Sequence, residues 1–152
     1  MSDSTPETLS LESIYPDPDL PLPILIIVTP ADPSSNTPVQ WKLSWQVAIT
    51  DTGDQVQRQL YITPDDGTPK ILTTVISPTH PQDHVVIKSL GLSDRRLIEV
   101  LATGPVGSFL KSPDGKWDSE RWLKVLLVGA HKRGLFTHHE WTSATKSASE
   151  IS

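Results

Sequence analysis

The stretch GKWDSERWLKVLL at residues 115–127 places a hydroxyl side chain, Ser119, at the start of an apolar helical pattern. The N-terminus of a helix carries unpaired N–H groups and the positive end of the helix dipole, which together stabilise an anionic nucleophile. A serine hydroxyl is a weak nucleophile unless a neighbouring base takes its proton. Ser119 is therefore a candidate nucleophile that needs a partner, and the alternative is that Asp118 or Ser119 simply caps the helix.

The five histidines are the side chains that can act as bases near neutral pH. His131 lies at the far end of the predicted helix, about 20 Å from Ser119, and cannot reach it. His84, at the start of a predicted strand, is the candidate catalytic base, with His80 as the alternative. The pair His138-His139 followed by Glu140 lacks the spacing of a metal site, and no HExxH pattern occurs, so we predict no bound metal.

Composition limits the classes of function. A chain of 152 residues suits one domain, and the absence of cysteine excludes disulfides and a thiolate nucleophile. The sequence has no Walker A loop, no GxGxxG after a strand and no GxSxG elbow, so no cofactor is predicted. The net charge of −5 arises mostly before Trp41, where six acidic residues and no Lys or Arg occur. The nearly neutral remainder argues against nucleic-acid binding, and the lack of a signal-like or membrane-spanning segment predicts a cytoplasmic protein.

Patterns along the chain predict three parts: an acidic, Pro-rich leader at 1–38, partly disordered; one α+β domain at 39–136; and a Ser/Thr-rich tail at 137–152, loose except where Trp141 packs. Proline and alternation patterns predict strands at 39–50, 55–63, 70–77 and 84–90, arranged as a meander, with 24–29 as a further strand. Helices are predicted from Ser93 to Gly104 and from Ser119 to Lys132. The fold class is an antiparallel sheet of about four to five strands packed on two helices.

The predicted strand VQWKLSWQVAIT at 39–50 alternates without interruption. Trp41, Leu43 and Trp45 belong to one face, whereas the other face carries polar side chains, namely Gln40, Lys42, Ser44, Gln46 and Thr50, together with Ala48. Such a polar face either meets solvent or lines a cleft.

With these elements placed, the chain resembles small fungal proteins with a permuted papain-like core, related in plan to NlpC-type peptidases and lecithin retinol acyltransferase-like proteins. LSWQVAI stands where that family has its histidine strand, and WDSERWL stands where it has its cysteine at the N-terminus of a buried helix. The resemblance implies that Ser44 occupies the histidine position and Ser119 the cysteine position. It therefore implies that this chain is not a conventional cysteine hydrolase or acyltransferase.

Three functions stay open at this point. The first is a pseudoenzyme that binds a small molecule or peptide in a cleft at the N-terminus of the second helix, or a cofactor-independent cyclase or isomerase of fungal secondary metabolism. The residues expected to bind the ligand there are Ser44, Trp45, Gln46, Trp117, Asp118 and Trp122. The second is a serine hydrolase in which Ser119 is activated by His84 or His80. The third is an interaction module that acts through the Pro-rich leader.

Overall fold

The computed structural model describes residues 10–77, 83–104, 107 and 110–151. Within these ranges the strands are β1 (Leu22–Thr29), β2 (Gln40–Ile49), β3 (Gln55–Ile62), β4 (Pro69–Ile76) and β5 (Asp83–Leu90). The helices are α1 (Leu11–Ile14), α2 (Leu92–Ala102), α3 (Ser119–Lys132) and α4 (His138–Ile151). The prediction of an α+β chain with an antiparallel sheet is confirmed. The expected number of helices is wrong, because helices also form before β1 and after α3.

The five strands form one antiparallel sheet in the order β4-β3-β2-β1-β5. The predicted meander holds for β2 to β4, whereas β5 lies at the opposite edge, beside β1. β1 takes an interior position because its side chains are apolar on both faces, and Ile24, Ile26, Ile27 and Val28 are all buried. The segment predicted as a leader, 1–38, thus supplies an interior strand of the sheet.

Strand alternation divides the sheet into two faces with different partners. On the helix-covered face, Trp41, Leu43 and Trp45 of β2 join side chains of α2, α3 and α4 in one apolar core. α1 lies on the same side, since its Glu12 forms an ion pair with Arg58, which also binds Glu99 of α2. We call the other face the polar face; its members include Leu25, Ile27, Gln40, Lys42, Ser44, Gln46, Gln57, Gln59, Tyr61, Lys70, Leu72, His84 and Val86.

The chain connection between the two edge strands shows that the sheet is not flat. The register places Ile76 of β4 level with Ile49, near the end of β2. It places Asp83 of β5 level with Trp41, near the start of β2 and eight residues from Ile49. In a flat sheet these two corners would be about 32 Å apart, from ~3.3 Å per residue and ~4.8 Å per strand. The seven steps from Ile76 to Asp83 span at most about 25 Å. Twist and curl must therefore bring the corners together.

Residues 138–151 form α4, so the prediction of a loose tail is wrong for this segment. A reciprocal pair of hydrogen bonds starts the helix: the Thr137 N–H donates to the Glu140 carboxylate at 2.8 Å, and the Glu140 N–H donates to the Thr137 hydroxyl at 3.1 Å. These two bonds form a capping box. The sequence Thr-His-His-Glu at residues 137–140 has the pattern of this motif, Thr followed three residues later by Glu. Ala144 and Ala148, one turn apart, are buried against the core and hold the helix to the sheet.

A buried arginine fixes the Pro-rich segment before β1 to the domain. Arg95 of α2 is completely buried, and its guanidinium donates to both carboxylate oxygens of Asp17. Further donated bonds reach the carbonyl oxygens of Pro18, Leu20 and Leu90 at 2.6–2.8 Å. A deletion of residues 1–22 would leave this charge without its partner, so such a deletion cannot test the leader as an interaction module while keeping the fold intact.

Candidate ligand-binding face

The N-terminus of α3 is a structural junction. Asp118 is the N-cap, and its carboxylate accepts the N–H of Arg121 at 3.1 Å. Ser119 follows as the first helical residue and is 2 % exposed. Its hydroxyl accepts the backbone N–H of Trp41 at 2.9 Å and donates to the carbonyl of Val39 at 3.4 Å. Ser119 thus supplies an acceptor for the Trp41 N–H of β2. The described pairing of β2 with β3 begins only at Leu43, two residues later.

The structure does not bring Ser119 and His84 together. α3 packs on the helix-covered face, whereas His84 pairs with Ile27 and belongs to the polar face of edge strand β5. The Ser119 hydroxyl donates to a backbone carbonyl, which cannot serve as a general base. His80, the alternative base, lies outside the described residues.

Ser44 and Ser119 lie on different sides of the sheet. Ser44 is on the polar face, where its hydroxyl donates to Gln57 at 3.2 Å. The group beside Ser119 is the backbone of Trp41, three residues earlier on β2, which is about 10 Å along an extended strand. A thiolate and an imidazole at positions 119 and 44 would therefore not touch, and the geometry does not support the placement of the family's histidine at Ser44.

The three tryptophans expected to bind a ligand have structural contacts instead. Trp45 is buried, and its indole N–H donates to Asp17 at 3.0 Å. Trp122 is buried in the core between α3 and the sheet. Trp117 packs on the β3–β4 turn: its N–H donates to the Pro64 carbonyl, and a Cβ added at Gly67 would lie 2.3 Å from its ring. These residues do not form a common cleft with Ser44 and Gln46.

A buried network of polar side chains runs along the polar face. Gln59 donates to Gln57 at 3.2 Å, and Gln57 donates to Gln55 at 3.0 Å, while Ser44 donates to the same Gln57 oxygen as Gln59. Ser44, Gln57 and Gln59 are at most 3 % exposed, and the adjacent Gln46 is half-buried. Because the described helices pack on the other face, other parts of the chain bury these side chains, and the half-buried Gln46 lies at the margin of the buried area. Amide and hydroxyl groups at such a margin can orient a small ligand by hydrogen bonds.

Next to this network lie two residues that the sequence analysis did not select, Lys42 and Tyr61. Both are half-buried, and the Lys42 ammonium is 4.5 Å from the centroid of the Tyr61 ring. Burial lowers the pKa of Lys42 below its ordinary value of 10.5, because the charged form loses hydration. The alternation of 39–50 predicts that Lys42 shares a face with Ser44 and Gln46. The partial burial of Lys42 depends on pairing with neighbouring strands, which the sequence of a single strand does not reveal.

The ranges described by the structure contain no group of three or more His, Asp or Glu side chains that could hold a metal ion. None of the helices in these ranges has the combination of length and apolar surface needed to cross a bilayer. Comparison of the chain with protein-family models, with curated proteins and with solved structures finds no match. We therefore infer the function from the two faces of the sheet.

Proposed function

We propose that this protein binds a small molecule or short peptide on the polar face of the sheet, without a covalent nucleophile. The main support for the proposal is the buried, hydrogen-bonded network of Ser44, Gln57 and Gln59. This network lies on the face of the sheet opposite the helices. Burying uncharged polar groups costs hydration, and such groups supply directional hydrogen bonds to a ligand.

The junction at Ser119 supports this choice of face over the N-terminus of α3. The buried hydroxyl accepts the backbone N–H of Trp41 in β2 and donates to the carbonyl of Val39, which directly precedes β2. Asp118 satisfies another N–H of the first helical turn. A ligand at this helix end would have to displace these contacts, whereas on the polar face it can approach the half-buried side chains of Gln46, Lys42 and Tyr61.

We extend the proposal to catalysis on the resemblance of WDSERWL to the cysteine helix of permuted papain-like proteins, without a role for Ser44 as the histidine position. In that form the protein is a cofactor-independent cyclase or isomerase of fungal secondary metabolism. Positioned amides then hold the substrate in a reactive shape and stabilise developing charge, with no covalent intermediate. The binding proposal does not depend on this extension.

Amide NMR spectra recorded with a library of small organic fragments test the proposed face. We expect shifts of the backbone signals of β2 and β3 around Gln46 and Gln57. Gln46→Tyr adds volume on the polar face and should weaken fragment binding, whereas the control Lys132→Tyr, at an exposed position in α3, should leave it unchanged. Shifts confined to residues around Ser119, or fragment binding that Gln46→Tyr leaves intact, would place the site elsewhere.

A further inference from the structure

The polar face has a one-sided distribution of charge. His84, Ile27 and Lys42 lie side by side across β5, β1 and β2, and Tyr61 and Lys70 continue the row across β3 and β4. The five strands contain a single acidic residue, Asp83, and its pairing with Val28 places it on the other face. The strand residues of the polar face are therefore basic or neutral, in a chain whose net charge is −5.

Lys42 occupies the centre of this row and has no carboxylate partner in the described part of the chain. It forms no ion pair with any residue that the structure describes. Its contact with the Tyr61 ring is a cation–π interaction, which does not neutralise the charge. Partial burial removes water from the ammonium, and a nearby negative group would offset this loss. The described residues do not supply such a group.

Gln40 adds a second donor that has no acceptor among the described residues. It precedes Lys42 by two residues on β2, so strand alternation places both side chains on the polar face, about 7 Å apart. Gln40 is 8 % exposed, and its Nε2 atom is buried without a hydrogen-bond partner in the described part of the chain. A buried donor left unpaired lowers stability, and a ligand acceptor at this point would supply the missing hydrogen bond.

Apolar side chains border the same end of the face. Ile27 lies directly beside Lys42, and Leu25 and Val86 pair with each other in the next row. Val86 is exposed and Leu25 is half-buried, so both are accessible to a ligand. The Leu25–Val86 row lies next to the Lys42 row, about 7 Å along the strands, so one amphiphilic molecule can contact the ammonium and these apolar side chains.

We infer that this end of the polar face binds the anionic group of a small amphiphilic organic acid. Lys42 supplies the charge, Gln40 donates a hydrogen bond to an anionic oxygen, and Leu25 and Val86 contact the apolar part of the molecule. This inference builds on the proposed function and adds the chemical class of the ligand.

Two dyes of similar shape separate the inference from the proposal on which it depends. Anilinonaphthalene sulfonate is an amphiphilic anion, and phenylnaphthylamine is its uncharged counterpart. Their fluorescence is titrated with the folded full-length chain and with the variants Lys42→Met, Gln40→Leu and Lys146→Met. Lys146 is an exposed residue of α4 and serves as the control for a general loss of charge.

We expect both dyes to bind the unchanged chain. Lys42→Met should weaken binding of the sulfonate tenfold or more, roughly the loss of one charge-assisted hydrogen bond, with little effect on the neutral dye. Gln40→Leu should weaken sulfonate binding less, and Lys146→Met should not change it. Equal sulfonate binding by Lys42→Met and the unchanged chain would overturn the anion site but leave the proposed function standing.

Other outcomes count against the inference in different ways. An equal loss of both dyes in Lys42→Met would mean that the side chain contributes shape rather than charge, and would also overturn the anion site. Binding of neither dye by the folded chain would contradict the proposed function itself. Dye binding that falls as protein concentration rises, together with a dimer on gel filtration, would assign the face to a second copy of the chain instead.

Discussion

The contact between Arg95 and Asp17 predicts a large effect from a conservative substitution. Asp17→Asn keeps the side-chain volume and an oxygen that can accept the Trp45 indole N–H, but removes the negative charge beside the buried guanidinium. The three backbone carbonyls that bind Arg95 stay in place. Breaking one partner of a buried ion pair costs about 3–5 kcal/mol, and the remaining carbonyls favour the lower end of that range.

A loss of about 3 kcal/mol should lower the melting temperature by roughly 6–12 °C, at ~2–4 °C per kcal/mol for a domain of this size. Thermal and urea unfolding followed by circular dichroism measure the effect. Asp19→Asn is the matched control, because Asp19 lies two residues away in the same Pro-rich segment and is exposed. Its cost should stay within about 0.5 kcal/mol. Equal destabilisation by the two substitutions would refute the reasoning that the segment is held by one desolvated charge pair.

Three further substitutions have expected outcomes that unfolding curves can check. Ser119→Ala should cost about 1–3 kcal/mol, because it leaves the buried N–H of Trp41 without an acceptor, and an unchanged midpoint would contradict the junction. Gly67→Ala should cost about 1–3 kcal/mol more than Gly53→Ala: both glycines have positive φ, but only the first meets an indole ring. Lys42→Met should raise the midpoint of unfolding at neutral pH, because burial of the ammonium costs hydration. The cost of keeping Lys42 charged is present below its lowered folded-state pKa and fades as the pH rises toward 10.5, so a gain that persists beyond that pH would contradict the explanation.

Local patterns predicted the elements whose signals are contained in a short stretch of sequence. The predicted helix from Ser119 to Lys132 has those same bounds in the structure, because a capping aspartate precedes it and apolar residues cover much of its circumference. The predicted strand at 39–50 differs from β2 by one residue at each end. The helix at 138–151 was missed because Ser and Thr are weak helix formers, and the capping box that offsets them was not recognised.

Features that join distant parts of the chain could not be predicted in the same way. Nothing local in β5 reveals that it pairs with β1 rather than β4, since both pairings satisfy the same alternation. The bond between Asp17 and Arg95 joins residues 78 positions apart. The burial of side chains on the polar face has the same origin: it depends on the pairing and curl of five strands and on other parts of the chain, so the sequence of one strand is compatible with either a solvated or a buried face.

The cationic side chains Arg95 and Lys42 have opposite surroundings, and the difference supports the assignment of the site. Arg95 is completely buried and meets a carboxylate and three carbonyl oxygens, as expected of a charge with a structural role. Lys42 is half-buried, contacts the Tyr61 ring and forms no ion pair among the described residues, and the neighbouring Gln40 has no acceptor among them either. The indole N–H groups of Trp41 and Trp141 also lack acceptors in the described part of the chain, but both belong to the apolar core, whereas Gln40 lies two residues from the Lys42 ammonium on the polar face. Unmatched donors of this kind lower stability in the free protein and gain their partner when an anionic ligand binds, so stability and binding should change in opposite directions at Lys42.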